Sequence, residues 1–159
     1  MNLGRIKEPY RSLLSRLLDK LLAHFGNNLV SFVIYGSVAR GSAKPDSDID
    51  ILIVANALPK SRMERQKIFL EVERTLEPEI NDLWGKGLHI DFSPIILSVE
   101  EARRFRPIYL DMVEDAVIIY DKGDFFKGGC LKTLKEDLRS WALRGFGLAT
   151  NGIGFLNLT

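Results

Sequence analysis

The sequence predicts an α/β (α+β) fold, helices interleaved with β-strands, with a C-terminal helical extension. Three observations predict it. Short runs rich in β-branched and aromatic residues, at 29–35, 48–54 and 116–120, read as buried strands. Between them, apolar residues recur at steps of three and four, the spacing of one helical face. No repeat and no linker-like stretch interrupts the 159 residues, a length suited to one compact unit with a short appendage.

The elements follow in order. Tyr10, Leu13, Leu14, Leu17, Leu18, Leu21, Leu22 and Phe25 make one apolar stripe, with Pro9 suited to a first turn and Gly26 to a stop. Leu29 to Tyr35 (LVSFVIY) is a strand ended by Gly36, and Ser37-Val38-Ala39-Arg40 begins a short helix. Asp48 to Val54 (DIDILIV) is apolar on both faces beyond Asp50, as a central strand is. Residues 59–76 form a covering helix through Phe69, Val72 and Leu76, which Pro78 closes. In 88–97 Leu88, Ile90 and Phe92 alternate with His89, Asp91 and Ser93, giving a third strand. Ser98 and Glu101 form a capping box that opens a helix to about Phe105, and another helix covers 107–114. A strand at 116–120, a turn at 121–123 and an amphipathic helix through Leu131, Leu134, Leu138, Trp141 and Ala142 complete the pattern. Gly145 to Thr159 carries four glycines and scattered apolar residues, and reads as a tail or a segment that orders on a partner. The expected division is a main domain over 1–122 and a C-terminal helix with Gly-rich tail over 123–159.

Composition narrows function. A net charge of +1 supplies no overall field to gather long nucleic acid. Cys130, the single cysteine, rules out a disulfide within the chain and fits a reducing cytoplasm; no histidine adjoins it, so it reads as a packed or surface thiol. No apolar run reaches the roughly 18–20 residues of a membrane span, and 1–7 lacks a signal-peptide core, so a cytoplasmic location is expected.

The chemistry concentrates in YGSVARGSAKPDSDIDILIV, residues 35–54. Asp46 follows Pro45 as ordinary turn chemistry. Asp48 and Asp50 differ: strand alternation puts them on one face, about 6.6 Å apart along the strand. Asp91 on a neighbouring strand would bring a third carboxylate to that patch. Three close anions repel one another, and divalent cations relieve the conflict. Mg²⁺ suits such a site, since it takes a few carboxylates together with water and phosphate oxygens. Before the acids, Gly36 and Ser37 offer close backbone approach, free N–H groups and a hydroxyl, with the cations Arg40 and Lys44 within reach. Metal-binding acids beside a phosphate-binding turn point to a nucleoside triphosphate. Competing motifs fail: Ile51 and Ala57 stand where a calcium loop needs glycine and glutamate, and Gly41 is not followed by Lys-Ser or Lys-Thr as in a P-loop. His89 reads as a rim or packing residue, and Arg103, Arg104 and Arg106 as a solvated face.

At these residues the chain resembles the nucleotidyltransferase superfamily that includes DNA polymerase β. Gly36-Ser37, then Asp48-x-Asp50, then a later strand aspartate, Asp91, match its signature. Gly36, Ser37, Ala39, Arg40, Gly41, Ala43, Ser47, Asp48 and Asp50 fit the minimal nucleotidyltransferase branch position by position, within a resemblance covering about residues 29–97. The resemblance implies the nucleotidyltransferase fold, a small mixed β-sheet flanked by helices, and transfer of a nucleoside monophosphate, AMP from ATP, to an acceptor hydroxyl with release of pyrophosphate. It implies two Mg²⁺ ions, one at Asp48, Asp50 and Asp91 activating the acceptor and one at Asp48 and Asp50 on the triphosphate. Asp91 is then the candidate acceptor of the hydroxyl proton, Gly36 and Ser37 grip the β- and γ-phosphates, and Arg40 and Lys44 assist. Members of this branch pair with HEPN-domain toxins as antitoxins and modify a toxin tyrosine, which makes a protein the expected acceptor. Two alternatives stand beside it: a partner-holding antitoxin module with secondary or no catalysis, and an aminoglycoside-type enzyme with a small-molecule acceptor. Oligomeric state stays open.

Overall fold

The leucine stripe forms α1 (Tyr10–Phe25), flanked by Pro9 and Gly26 as its sequence dictates. Leu14, Leu17 and Leu21 are fully buried, and each contributes about 1.5–3 kcal/mol relative to exposure. The structure is a computed structural model that describes residues 3–145. The tail read over 145–159 therefore lies, from 146 onward, outside the described residues.

Four strands make one mixed sheet: β1 (Leu29–Tyr35), β2 (Ile49–Ala55), β3 (Phe92–Leu97) and β4 (Val117–Asp121), in the order β3-β2-β1-β4. β1 runs antiparallel to β2 and to β4, while β2 and β3 are parallel. The two apolar central strands lie where their composition predicts. Alternation divides the core. Phe32, Ile34, Ile49, Ile51, Ile53, Phe92 and Ile96 face α1 and two further helices, α3 (Arg62–Arg74) and α4 (Glu77–Gly85), numbered after the short α2 (Gly36–Arg40). Val33, Tyr35, Leu52, Val54 and Leu97 face α5 (Val99–Arg103), α6 (Tyr109–Asp115), a π-helical turn at Phe125–Leu131 and α7 (Lys132–Leu143). Asp50 shares the parity of Leu52 and Val54, so it belongs to this second face.

Several boundaries differ from the sequence reading. α3 begins at Arg62 rather than 59, because the Ser61 hydroxyl accepts from the Glu64 amide and caps the helix there. Pro78 does not close a helix; it sits in the first turn of α4, flanked by Glu77 and Glu79, where a missing N–H costs nothing and acids suit the helix dipole. β3 begins only at Phe92. Before it, the His89 amide donates to Pro45 O (2.9 Å) and the Ile90 amide to Leu88 O (3.0 Å), so 88–91 follow a local course. The Ser98–Glu101 capping box is present with both bonds at 3.2 Å.

The exposed edge of β3 is heavily occupied. Gln66 Nε2 donates to Pro94 O (3.3 Å), and the buried Arg65 donates through Nη1 to Ile96 O (3.2 Å). Arg65 also reaches Pro59 O (2.6 Å) and pairs with Glu101 (2.8 Å). Burial alone would raise the Glu101 carboxyl; bonds from Ser98 and the Arg65 guanidinium hold it below the usual range. At the other edge, Asp121 accepts from the Ser31 hydroxyl (2.7 Å) and from the Phe126 and Lys127 amides (2.9 Å each), tying β1 to the π-helical turn. Among the described residues no helix is long and apolar enough to cross a membrane.

Candidate active site

The site forms where β1 leaves the sheet and β2 enters it. Tyr35, the last residue of β1, pairs with Asp50, and Gly36 turns the chain straight into α2 at φ +74°. A Cβ on Gly36 would collide with the Asp50 carboxylate, so the backbone passes directly against that acid. Only glycine meets both demands, the positive φ and the close approach. Gly41 ends α2 in the left-handed region (φ +77°), its amide returning to Val38 O at 3.3 Å, and the Ser42 amide reaches Ser37 O at 2.9 Å. The turn carrying Gly36 and Ser37 is thus closed on itself.

Asp48 and Asp50 act on each other as read. Asp50 is half-buried, and its carboxyl is raised above the usual range first by burial and second by the Asp48 charge, with Arg40 opposing. Arg40 is exposed and close enough to Asp50 for its charge to be felt. Lys44 is exposed and joins the loop through its backbone, its amide donating to Ser47 Oγ at 2.8 Å and its carbonyl accepting from the Ser47 amide at 2.9 Å.

The third acid, Asp91, stands immediately before β3. Ile49 pairs with Phe92 and Asp50 with Ser93, and the Ile49 amide donates to Asp91 O (2.9 Å), so the backbone of Asp91 stands beside Asp48. Its carboxylate, however, accepts from the Phe92 amide (2.9 Å), and its charge is felt by Glu73 of α3, whose carboxyl is raised by burial and then by Asp91. Asp48 acts on Asp50 through its charge, and among the described residues no group of three acids, histidines or cysteines is set to hold a metal.

The pair still suits a divalent cation. Two neighbouring carboxylates, one of them partly desolvated, lie near the Arg40 guanidinium, and the excess negative charge is what Mg²⁺ would neutralise. Tyr35 was missed by motif reading. Its phenol is raised to about 12 by burial, then by Asp50 and Asp111, so it stays protonated at any working pH. The register that sets it across from Asp50 was the only available signal.

Residues 14–122 match the family described as nucleotidyltransferase domain. The chain belongs to that family. The nucleotidyltransferase is 30% identical over 118 residues to a Methanocaldococcus jannaschii protein named as a putative protein adenylyltransferase, a match spanning 73% of this chain and 75% of the relative. Its fold is similar to that of a mutant of the toxin–antitoxin MntA–HpeT, at a TM-score of 0.51 and 17% identity over 82% of this chain and 91% of the other. The resemblance to the minimal branch is therefore borne out, and the protein is an enzyme of the transferase class.

The other residues singled out take structural places in the nucleotidyltransferase. His89 lies against the Trp84 ring, 4.6 Å between centroids, a packing role. Arg103 stacks over Phe125 at 5.7 Å, and Arg106 lies 3.9 Å from Glu101. Burial raises the Cys130 thiol and Asp121 adds to it, which suits an inert cysteine. A cleft of about 630 Å³ between α6, the π-helical turn and α7 is lined by Arg103, Phe105, Phe125, Cys130 and Asp137, and none of the predicted site residues reaches it.

Proposed function

We propose that this nucleotidyltransferase transfers AMP from ATP to a hydroxyl on a partner protein, releasing pyrophosphate. The single observation that carries the reading is the Asp50 carboxylate held against the Gly36 backbone with the Asp48 charge acting on it, acids for a cation beside a turn for phosphates. The relative named as a protein adenylyltransferase supports the nucleotide and the class of acceptor. A HEPN-type toxin is the proposed partner, in keeping with the MntA–HpeT fold likeness.

In this mechanism Gly36 and Ser37 hold the β- and γ-phosphates, Arg40 offsets charge on the leaving group, and Lys44 adds a mobile cation at the loop. Asp48, Asp50 and Asp91 are the residues that would hold Mg²⁺, which when bound would lower the pKa of the acceptor hydroxyl and neutralise the triphosphate. Asp91 is the proposed acceptor of the hydroxyl proton, and its backbone already stands beside Asp48. Asp91→Asn should lower transfer by about a hundredfold while leaving the affinity for Mg²⁺ and α,β-methylene ATP within about threefold. Normal turnover in that variant would remove Asp91 from the chemistry.

The acceptor is tested by incubating the enzyme with ATP labelled on the α-phosphate, Mg²⁺ and purified candidate HEPN-type proteins, aminoglycosides or RNA. Label on the protein hydroxyl, absent with Asp48→Ala, is the expected result; label on an aminoglycoside or RNA instead defeats the proposed acceptor. Full neutralisation of a toxin by Asp48→Ala would favour the partner-holding module.

A further inference from the structure

We propose that Lys7 is a positioning residue for the nucleotide, clasping the turn that carries Gly36 and Ser37 from outside the segment that matches the family. The proposal rests on the reading that this turn grips the triphosphate. Lys7 Nζ donates to the Gly41 carbonyl at 3.1 Å, a contact across 34 positions of sequence. Gly41 is the left-handed residue that stops α2, and the last carbonyls of a helix lack partners within it. A cation there meets both the free oxygen and the negative end of the helix.

The contact involves the lysine stem as well as its tip. A Cβ added to Gly41 would stand 3.3 Å from Lys7 Cε, so the side chain lies along the glycine. Its root is fixed, too: Ile6 and Tyr10, on either side, are 2% and 8% exposed within the core below α1. A small cleft of about 240 Å³, walled by Pro9, Tyr10, Val38, Ala43 and Leu88, lies under the clasp. Among the described residues the ammonium pairs with no carboxylate, so its charge is left to act on the turn and on what the turn holds. A surface lysine anchored in this way fixes the far end of α2, and with it the direction of the Gly36 and Ser37 N–H groups.

Lys7→Met and Lys7→Arg separate the possibilities. In Lys7→Met, the Gly41 and Ser42 amides should exchange about tenfold faster, and the Kd for α,β-methylene ATP with Mg²⁺ should weaken about fivefold. The melting temperature should stay within about 2 °C, because the bond is exposed. Lys7→Arg, which keeps a cationic donor, should restore most of both. An unchanged Kd in Lys7→Met overturns the proposal, as does a loss of affinity matched by a large fall in melting temperature. Ser37→Ala is measured alongside: if it weakens binding while Lys7→Met does not, the phosphate reading of the turn stands and the clasp alone is wrong. If neither variant moves the Kd, both fail.

Discussion

Asp50→Asn should abolish nucleotidyl transfer, by about a hundredfold or more, and yet melt at a higher temperature than the wild type at neutral pH. The sign follows from the direction of the shift. Burial and then Asp48 raise the Asp50 carboxyl in the folded state, against a smaller opposing effect of Arg40. The folded protein therefore binds that proton more readily than the unfolded chain does. The associated stability is complete below the ordinary aspartate range and is lost as pH rises through the raised value. At pH 7 the ionised carboxylate is a net liability that asparagine removes. The advantage of Asp50→Asn should shrink as the pH is lowered toward and below the ordinary aspartate range. Saturating Mg²⁺ with α,β-methylene ATP should reverse the order, since ligand stabilises only the form that binds it. Thermal melts across pH, with and without ligand, test this. A variant less stable than wild type at pH 7 would mean that the protein itself already compensates Asp50, and the argument for a cation would weaken.

Gly36→Ala should be the most damaging single-methyl change in the site. The residue sits at φ +74°, which for a side chain other than glycine costs about 1–2 kcal/mol, and the added methyl would run into the Asp50 carboxylate. Destabilisation of about 2 kcal/mol or more and loss of transfer by about a hundredfold are expected, read by denaturant unfolding and label incorporation. Gly87 provides the control. It has φ +89° and open space around its Cβ, so Gly87→Ala should show the backbone cost alone and retain transfer. If the two substitutions cost the same, the crowding of Gly36 by Asp50 is not a significant term. A gain in stability from Asp50→Ala that is larger in the Gly36→Ala background than in the wild type would identify the carboxylate as the obstacle.

What the sequence revealed divides along the range of the forces involved. α1 and β1 begin and end where the pattern sets them, because the leucine stripe and the unbroken apolar run each leave one way to be buried. The nearness of Asp50 to the Gly36 turn was legible for a similar reason: a charge entering an apolar strand, after a glycine turn, conflicts with burial wherever it lies. α4 was hidden because proline ends one helix and starts another with equal ease, and Pro78 does the second. The π-helical turn at Phe125–Leu131 was hidden by Gly128 and Gly129, which have no helical preference, while its support comes from Asp121 accepting two of its amides. Asp91 shows a subtler limit. Alternation places its backbone correctly, yet a single bond to the Phe92 amide decides where the carboxylate lies. Lys7 and Arg65 act on carbonyls 34 and 31 positions away, contacts that no local pattern encodes.

The occupied margin of β3 has a consequence for assembly. Pro94 brings no donor, its oxygen is taken by Gln66, that of Ile96 by Arg65, and the Phe92 amide by Asp91. A neighbouring strand thus finds few open ladder positions along this rim, which disfavours edge-to-edge addition there.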